Sequence, residues 1–288
     1  VSGPAGDSAD AAGYTRAGAG QPERVVSLVP SLTDLAARLG AGPRLVGVTD
    51  WCRHGAPAGV ARLAGTKTPH LARTVALRPD LVLANTEENR SGDLERLRAE
   101  GIAVHETFPR RVADVPAMMR GVGEALGIDA EPLAAELERA LADAPSAGAW
   151  PRVLLLVWRK PWIAAGPDTY SSDLLHAAGL RNALTEVVEG DERWPRVDRE
   201  RVAAAAPDVV LLPSEPYAFG TEDLDAVAEL TGGCAARFVD GEALTWHGPR
   251  TAAGLRELTG VVADVGRHRG TRCADTPSAA DSASPCAW

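Results

Sequence analysis

TVALRPDLVLAN, residues 74–85, is the stretch that decides the fold class. It ends a helix, turns at Pro79-Asp80 and enters Leu81–Ala84, an apolar run without alternation. Such a run marks a strand covered on both faces, as in a parallel sheet. Pro79 donates no N–H and pushes its predecessor out of helical geometry, so helix and strand are separated at one point. The pattern returns in AAAPDVVLLP, residues 204–213, where Pro207-Asp208 stands between an alanine-rich helix and a second buried strand. An internal echo of this kind implies two similar α/β lobes.

Working outward, the same rhythm covers most of the chain. RVVSLVP (24–30) reads as a strand. SLTDLAARLG (31–40) has Leu32, Leu35, Ala36 and Leu39 at helical spacing, with Ser31 as the expected N-cap and Gly40 as the stop. RLVGVTD (44–50) is the next strand, and LERLRAEGIAVHETF (94–108) gives helix, glycine and strand. In the second half PRVLLLVW (151–158), SSDLLHAAGLRNAL (171–184), RERVAAAAPDVVLLP (199–213) and GGCAARFVDG (232–241) repeat it. Residues 112–144 carry apolar side chains at three- and four-residue steps and contain no strand pattern. The expected fold is therefore α/β, with two lobes of parallel sheet, a rigid helical connection and a ligand cleft between the lobes. The expected boundaries are 24–111, 112–149 and 150–265, with 1–23 and 266–288 disordered from their Gly, Ala, Ser and Asp content.

The composition excludes several classes. A formal net charge of −9 argues against a general nucleic-acid surface. No apolar run approaches the roughly 20 residues that span a bilayer. The opening VSGPAGDSADAAGYTRAGAG has neither a basic start nor an apolar core and does not read as a signal peptide, so a chain starting at Val1 is expected in the cytoplasm. Cys52, Cys234, Cys273 and Cys286 form no CxxC pair, which argues against a metal-thiolate framework. The spacing of Cys273 and Cys286 permits a disulfide. Neither GxGxxG nor a P-loop occurs, and no covalent cofactor is implied.

Ligands of open α/β sheets bind beyond the carboxyl ends of the strands. Those loops hold Ser31; Asp50, Trp51, Cys52, Arg53 and His54; Glu87, Glu88 and Asn89; and Phe108, Arg110 and Arg111. In the second half they hold Trp158, Arg159, Lys160 and Trp162; Glu215, Pro216, Tyr217 and Phe219; and Trp246, His247 and Arg250. Four of the seven tryptophans fall there, with Trp194 in a fifth loop. Aromatic faces beside arginines suit a large, flat, partly anionic ligand. The expected ligand-binding residues are Trp51, Arg53, Arg110, Trp158, Arg159, Trp162, Tyr217, Trp246 and Arg250. His54 and His247 are weak metal candidates without HxH or HExxH spacing. Cys52 beside His54 suggests thiol chemistry, against which stands a plain structural thiol. No catalytic constellation emerges, and the expected protein is a monomeric binder of small molecules.

In order and spacing these motifs resemble the helical-backbone (class III) substrate-binding proteins of ABC importers, with the cobalamin-binding members nearest in pattern. RVVSLVPSLTDLAARLGAGPRLVGVTDWC looks like their opening. LARTVALRPDLVLA, GIAVHETFP, WPRVDRERVAAAAPDVVLL and the terminal WHGPR (246–250) continue the series, from about Arg24 to Val265. The resemblance implies two Rossmann-like lobes bridged by a long helix, an extracytoplasmic location, and a metal chelate (corrinoid, ferric siderophore or haem) held against aromatic residues. It also implies one surface glutamate per lobe docking on a permease. The second falls at Glu200, whereas the first position holds Ala72. The alternative is an intracellular enzyme or biosynthetic accessory protein reusing the fold on a small molecule, motivated by Ala72 and the Trp51–His54 loop.

Overall fold

The computed structural model describes residues 21–144, 150–188, 190 and 192–272, with backbone only from 266. The expected disorder of 1–20, the end of the tail, and Cys273 with Cys286 lie outside these residues. Two compact units emerge. One contains the described residues up to Phe108 together with Ala117–Pro132, and the other contains Pro109–Pro116 and the described residues from Leu133 onward.

The first unit is built on β1 (Val25–Ser27), α1 (Pro30–Arg38), β2 (Leu45–Val48), β3 (Ala61–Arg62), α2 (Leu71–Ala76), β4 (Leu81–Asn85), α3 (Ser91–Ala99) and β5 (Ala103–Thr107). Its sheet runs β3-β2-β1-β4-β5 with every pairing parallel. The chain crosses from one side of β1 to the other between β3 and β4, so the switch point lies where the loops after β1 and β4 meet. β4 is buried along its whole length, as its unbroken apolar run requires. Leu28, Leu63, Leu94 and Leu97 are fully covered around it, each worth about 1.5–3 kcal/mol of burial.

Ser31 is not the cap of α1. The helix starts at Pro30, the residue before it is Val29, and no side chain caps it. Pro30 at the first helical position has a fixed φ suited to a helix start and lacks an N–H that would go unpaired there, so the helix begins one residue before Ser31. Order also begins earlier than residue 24, since Gln21 Nε2 donates to the Gly127 carbonyl at 2.7 Å.

The connecting segment folds as two helices of 12 residues each, α4 (Val115–Leu126) and α5 (Glu131–Ala142). The single long helix implied by the resemblance is broken at Gly127, whose φ is +66°. Only glycine takes that conformation without cost. Residues 117–132 belong with the first unit and 133–142 with the second.

The second unit contains β6 (Arg152–Trp158), β7 (Ile163–Ala164), α6 (Tyr170–Ala177), β8 (Arg181–Asn182), α7 (Arg199–Ala205), β9 (Val209–Pro213), α8 (Leu224–Thr231), β10 (Ala236–Val239), α9 (Gly241–Thr245) and α10 (Thr251–Arg272). β10, β9 and β6 pair in parallel, and β8 pairs with the start of β6. The far end of β6 is different. β7 turns back and pairs antiparallel with it, Leu156 opposite Ala164 and Trp158 opposite Ile163. An all-parallel sheet was expected here, and the hairpin hides in sequence because β7 is only two residues long. Helix α10 continues to Arg272, past the tail boundary expected at 266. Gly266 costs a helix only about 1 kcal/mol and so does not stop it.

Candidate functional site

The β6–β7 reversal and the loop after β9 together build one aromatic cluster in the second unit. Trp158 closes β6 and stands 42% exposed. Its ring meets Tyr217 edge-on with centroids 5.8 Å apart. Tyr217 meets Phe219 in the same way at 4.7 Å, and Phe219 stacks parallel to Trp162 at 6.3 Å. Edge-to-face and offset arrangements of this kind satisfy the ring quadrupoles and fix the ring planes. The guanidinium of Arg159 lies over the Trp162 ring, 5.7 Å from its centroid. Four predicted residues, Trp158, Arg159, Trp162 and Tyr217, are therefore brought together.

Sequence reasoning missed what anchors them. Asp223 is fully buried. It pairs with Arg159 through a charge-assisted hydrogen bond, accepts the Tyr217 hydroxyl at 3.3 Å and accepts the Gly220 N–H at 3.0 Å. Burial alone pushes its carboxyl upward, but those donors outweigh burial and hold it below the ordinary carboxylate range. Local sequence marks Asp223 only as an acid near the start of α8, and its Arg159 partner lies 64 residues away.

Polar side chains order the loops of the first unit. Asn85 and Asn89 are buried at the switch point. Asn89 Oδ1 accepts the Asn85 N–H at 3.0 Å, and its Nδ2 donates to the Thr66 carbonyl at 2.9 Å. Asn85 Oδ1 accepts the Glu87 N–H at 2.9 Å. After β2, Arg62 donates to the carbonyls of Thr49 and Cys52 at 3.1 and 3.0 Å, clamping the Trp51 loop. Trp51 stands 56% exposed. Its indole lies over Gly65, where an added Cβ would come 3.7 Å from Nε1. Arg53 and His54 are exposed on the same loop. Cys52 is buried, with Thr33 Oγ1 donating to its sulfur at 3.0 Å and Thr49 Oγ1 sharing a hydrogen bond with that sulfur at 3.1 Å. Burial pushes its thiol up despite those bonds, which makes it a structural thiol.

The remaining predicted residues are placed elsewhere in the second unit. Trp246 is buried, its indole N–H donates to Glu215, and Arg250 covers its ring at 5.1 Å. Arg250 is itself paired with Glu242 at 3.2 Å. Neither residue stands exposed as Trp158 does; both secure α9 and the start of α10. His247 packs edge-on against Tyr170 at 4.4 Å. Its pKa is pushed down to about 4 by burial and, second, by the charge of Arg193. Arg110 is exposed and paired with Asp168. Among the described residues no group of three or more His, Cys, Asp or Glu is arranged to hold a metal ion. No described helix is long and apolar enough to cross a membrane.

Glu200 and Ala72 occupy matching places. Each is the second residue of the short helix before a Pro-Asp turn, α7 and α2 respectively, and each is exposed. The echo seen in sequence thus puts a carboxylate at one position and a methyl group at the other.

Comparison with known proteins agrees with this architecture. The vitamin B12-binding protein of Pectobacterium atrosepticum is 27% identical over 202 residues, 66% of this chain and 71% of that one. An ABC transporter substrate-binding lipoprotein of Bacillus subtilis is 26% identical over 252 residues, covering 83% and 79%. Among solved structures, the apo periplasmic haem-binding protein of Roseiflexus sp. RS-1 superposes with a TM-score of 0.74 at 27% identity, covering 84% of this chain and 98% of that one. The periplasmic vitamin B12-binding protein of Vibrio cholerae shares the fold, with a TM-score of 0.72 at 20% identity and coverage of 86% and 99%. The enzyme alternative gains no support from these relatives, and the burial of Cys52 removes its best nucleophile. The pattern of the periplasmic binding protein family matches residues 25–230, and the chain belongs to that family.

Proposed function

We propose that this protein captures a metal chelate, a corrinoid above haem or a ferric siderophore, for delivery to an ABC permease outside the cytoplasm. The observation that carries the reading is the aromatic cluster at the end of β6, in which ordered rings leave Trp158 exposed. Rigid indole and phenol rings supply stacking area at little entropic cost. Trp158, Arg159, Trp162 and Tyr217 form the principal surface in the second unit; within the first unit, Trp51 and Arg53 are exposed on the loop after β2. The relatives named for vitamin B12 and haem support the ligand class. Docking rests on Glu200 alone, because Ala72 offers no charge.

Tryptophan fluorescence titration with cyanocobalamin, haem and a ferric siderophore tests the proposal. Quenching is expected with cyanocobalamin at the lowest concentration. Trp158→Ala should weaken binding by about tenfold or more, roughly 1.4 kcal/mol, with an unchanged melting temperature. No quenching by any of the three would refute it.

A further inference from the structure

We infer that Asp223 determines the ligand specificity of this surface, setting it for rings edged with neutral amides and against rings edged with carboxylates. The inference rests on the proposed function and names a residue to which that reading assigns no role. Three observations lead to it. Asp223 is wholly buried yet charged, and both of its oxygens are engaged: Oδ1 by Arg159 and the Tyr217 hydroxyl, Oδ2 by the Gly220 N–H. Its pairing neutralises Arg159, whose side chain is itself only 22% exposed. A guanidinium whose charge is already paired with a buried carboxylate attracts a second carboxylate less strongly than a free one would, although some of its five N–H groups stay open to neutral acceptors.

The third observation concerns the phenol. Because the Tyr217 hydroxyl donates to Asp223 and Arg159 engages the same phenol, its oxygen has one lone pair left for anything else that approaches. Lone pairs suit an amide N–H and repel a carboxylate oxygen. Asp223 thus acts twice, by removing net positive charge from the aromatic surface and by turning the phenol into an acceptor. It is a positioning residue, acting through Arg159 and Tyr217.

The test compares cyanocobalamin with its derivative whose peripheral amides are hydrolysed to carboxylates, so that ring and metal stay the same. Full-length protein is titrated by fluorescence at low and high salt. The wild type is expected to prefer the amide form by about tenfold, with little salt dependence. Asp223→Asn should narrow the preference to about threefold or less and make carboxylate binding salt-sensitive, because Arg159 is released. Arg159→Gln should widen the preference by leaving Asp223 unpaired, and the double variant should return it toward the wild-type ratio. That pair also decides the matter if Asp223→Asn alone does not fold. Wild type that binds both forms, with a ratio that moves in none of the variants, overturns the role of Asp223 and leaves the ligand reading standing. Wild type that binds neither form overturns the inference and the ranking of a corrinoid first, and failure with haem and the ferric siderophore as well overturns the ligand reading itself.

Discussion

The two Pro-Asp turns are nearly the same structure, whereas the loops at the opposite ends of the strands they feed are not. In the first unit Arg78 takes φ +47° before Pro79, and in the second Ala206 takes +43° before Pro207. Asp80 accepts the N–H groups of Glu23 and Arg24 at 2.9 and 2.8 Å, just ahead of β1. Asp208 accepts that of Arg152 at 2.7 Å, at the start of β6. Each arginine then reaches back to the end of the preceding helix, Arg24 to the Leu77 carbonyl at 2.7 Å and Arg152 to that of Ala205 at 2.5 Å. At the carboxyl ends the likeness stops. β1 leads directly into a helix and β4 into asparagine-capped turns, while β6 doubles back and β9 delivers Tyr217 and Phe219. The amino ends keep the scaffold, and the carboxyl ends are free to diverge toward a ligand.

This contrast can be broken from either side. The largest effect is expected at Gly241, where an added Cβ would lie 2.4 Å from the Glu215 nitrogen and 2.6 Å from its carbonyl oxygen. Gly241→Ala must move the loop after β9 itself, so a loss of about 3 kcal/mol is expected in urea unfolding. Gly47→Ala in the first unit meets Leu77 and Leu63 methyl groups at 2.6 and 2.9 Å. Those side chains can yield, and a smaller loss of about 1–2 kcal/mol is expected. Equal losses would show that the Leu63 and Leu77 side chains are held as stiffly as the loop after β9.

His247 gives the next effect. Its folded pKa of about 4 lies below the ordinary 6.5, so between those values the unfolded chain binds more protons. Stability should therefore fall as the pH drops through that window, by up to about 3 kcal/mol. His247→Phe should flatten the profile there; an unchanged slope would exonerate the histidine. Asp80→Ala and Asp208→Ala should each cost about 2 kcal/mol, for the loss of charged acceptors on backbone N–H groups. A large difference between them would mean that the echo is one of shape and not of energy. Ser31→Ala should change stability by no more than about 0.5 kcal/mol, because Ser31 caps nothing, whereas loss of a true cap typically costs about 1 kcal/mol.

The scaffold was legible because it depends on local signals. Proline-aspartate turns, glycine stops and unbroken apolar runs located the long strands and most helices to within a few residues. Two-residue strands such as β3, β7 and β8 have no periodicity to read, and their pairing is set by the neighbours they meet. The aromatic residues of the candidate site were legible as oddities of composition at strand ends. Their support was not. The Arg159 partner of Asp223 lies 64 residues away, and Arg62 reaches carbonyls 13 and 10 residues back, so nothing beside either residue announces its role. Trp246 was grouped with them as an aromatic residue following the last strand; its indole is buried beneath Arg250 at the end of α9.

The ladder between β6 and β9 uses only Val153, Leu154 and Leu155. Everything from Trp158 to Ala164 lies beyond that register, yet this short reversal supplies Trp158, Arg159 and Trp162. It is therefore an exchangeable cassette. A transplanted turn of another composition can recast what the surface grips while the sheet beneath it keeps its strand alignment, which gives both evolution and the protein engineer a place to work.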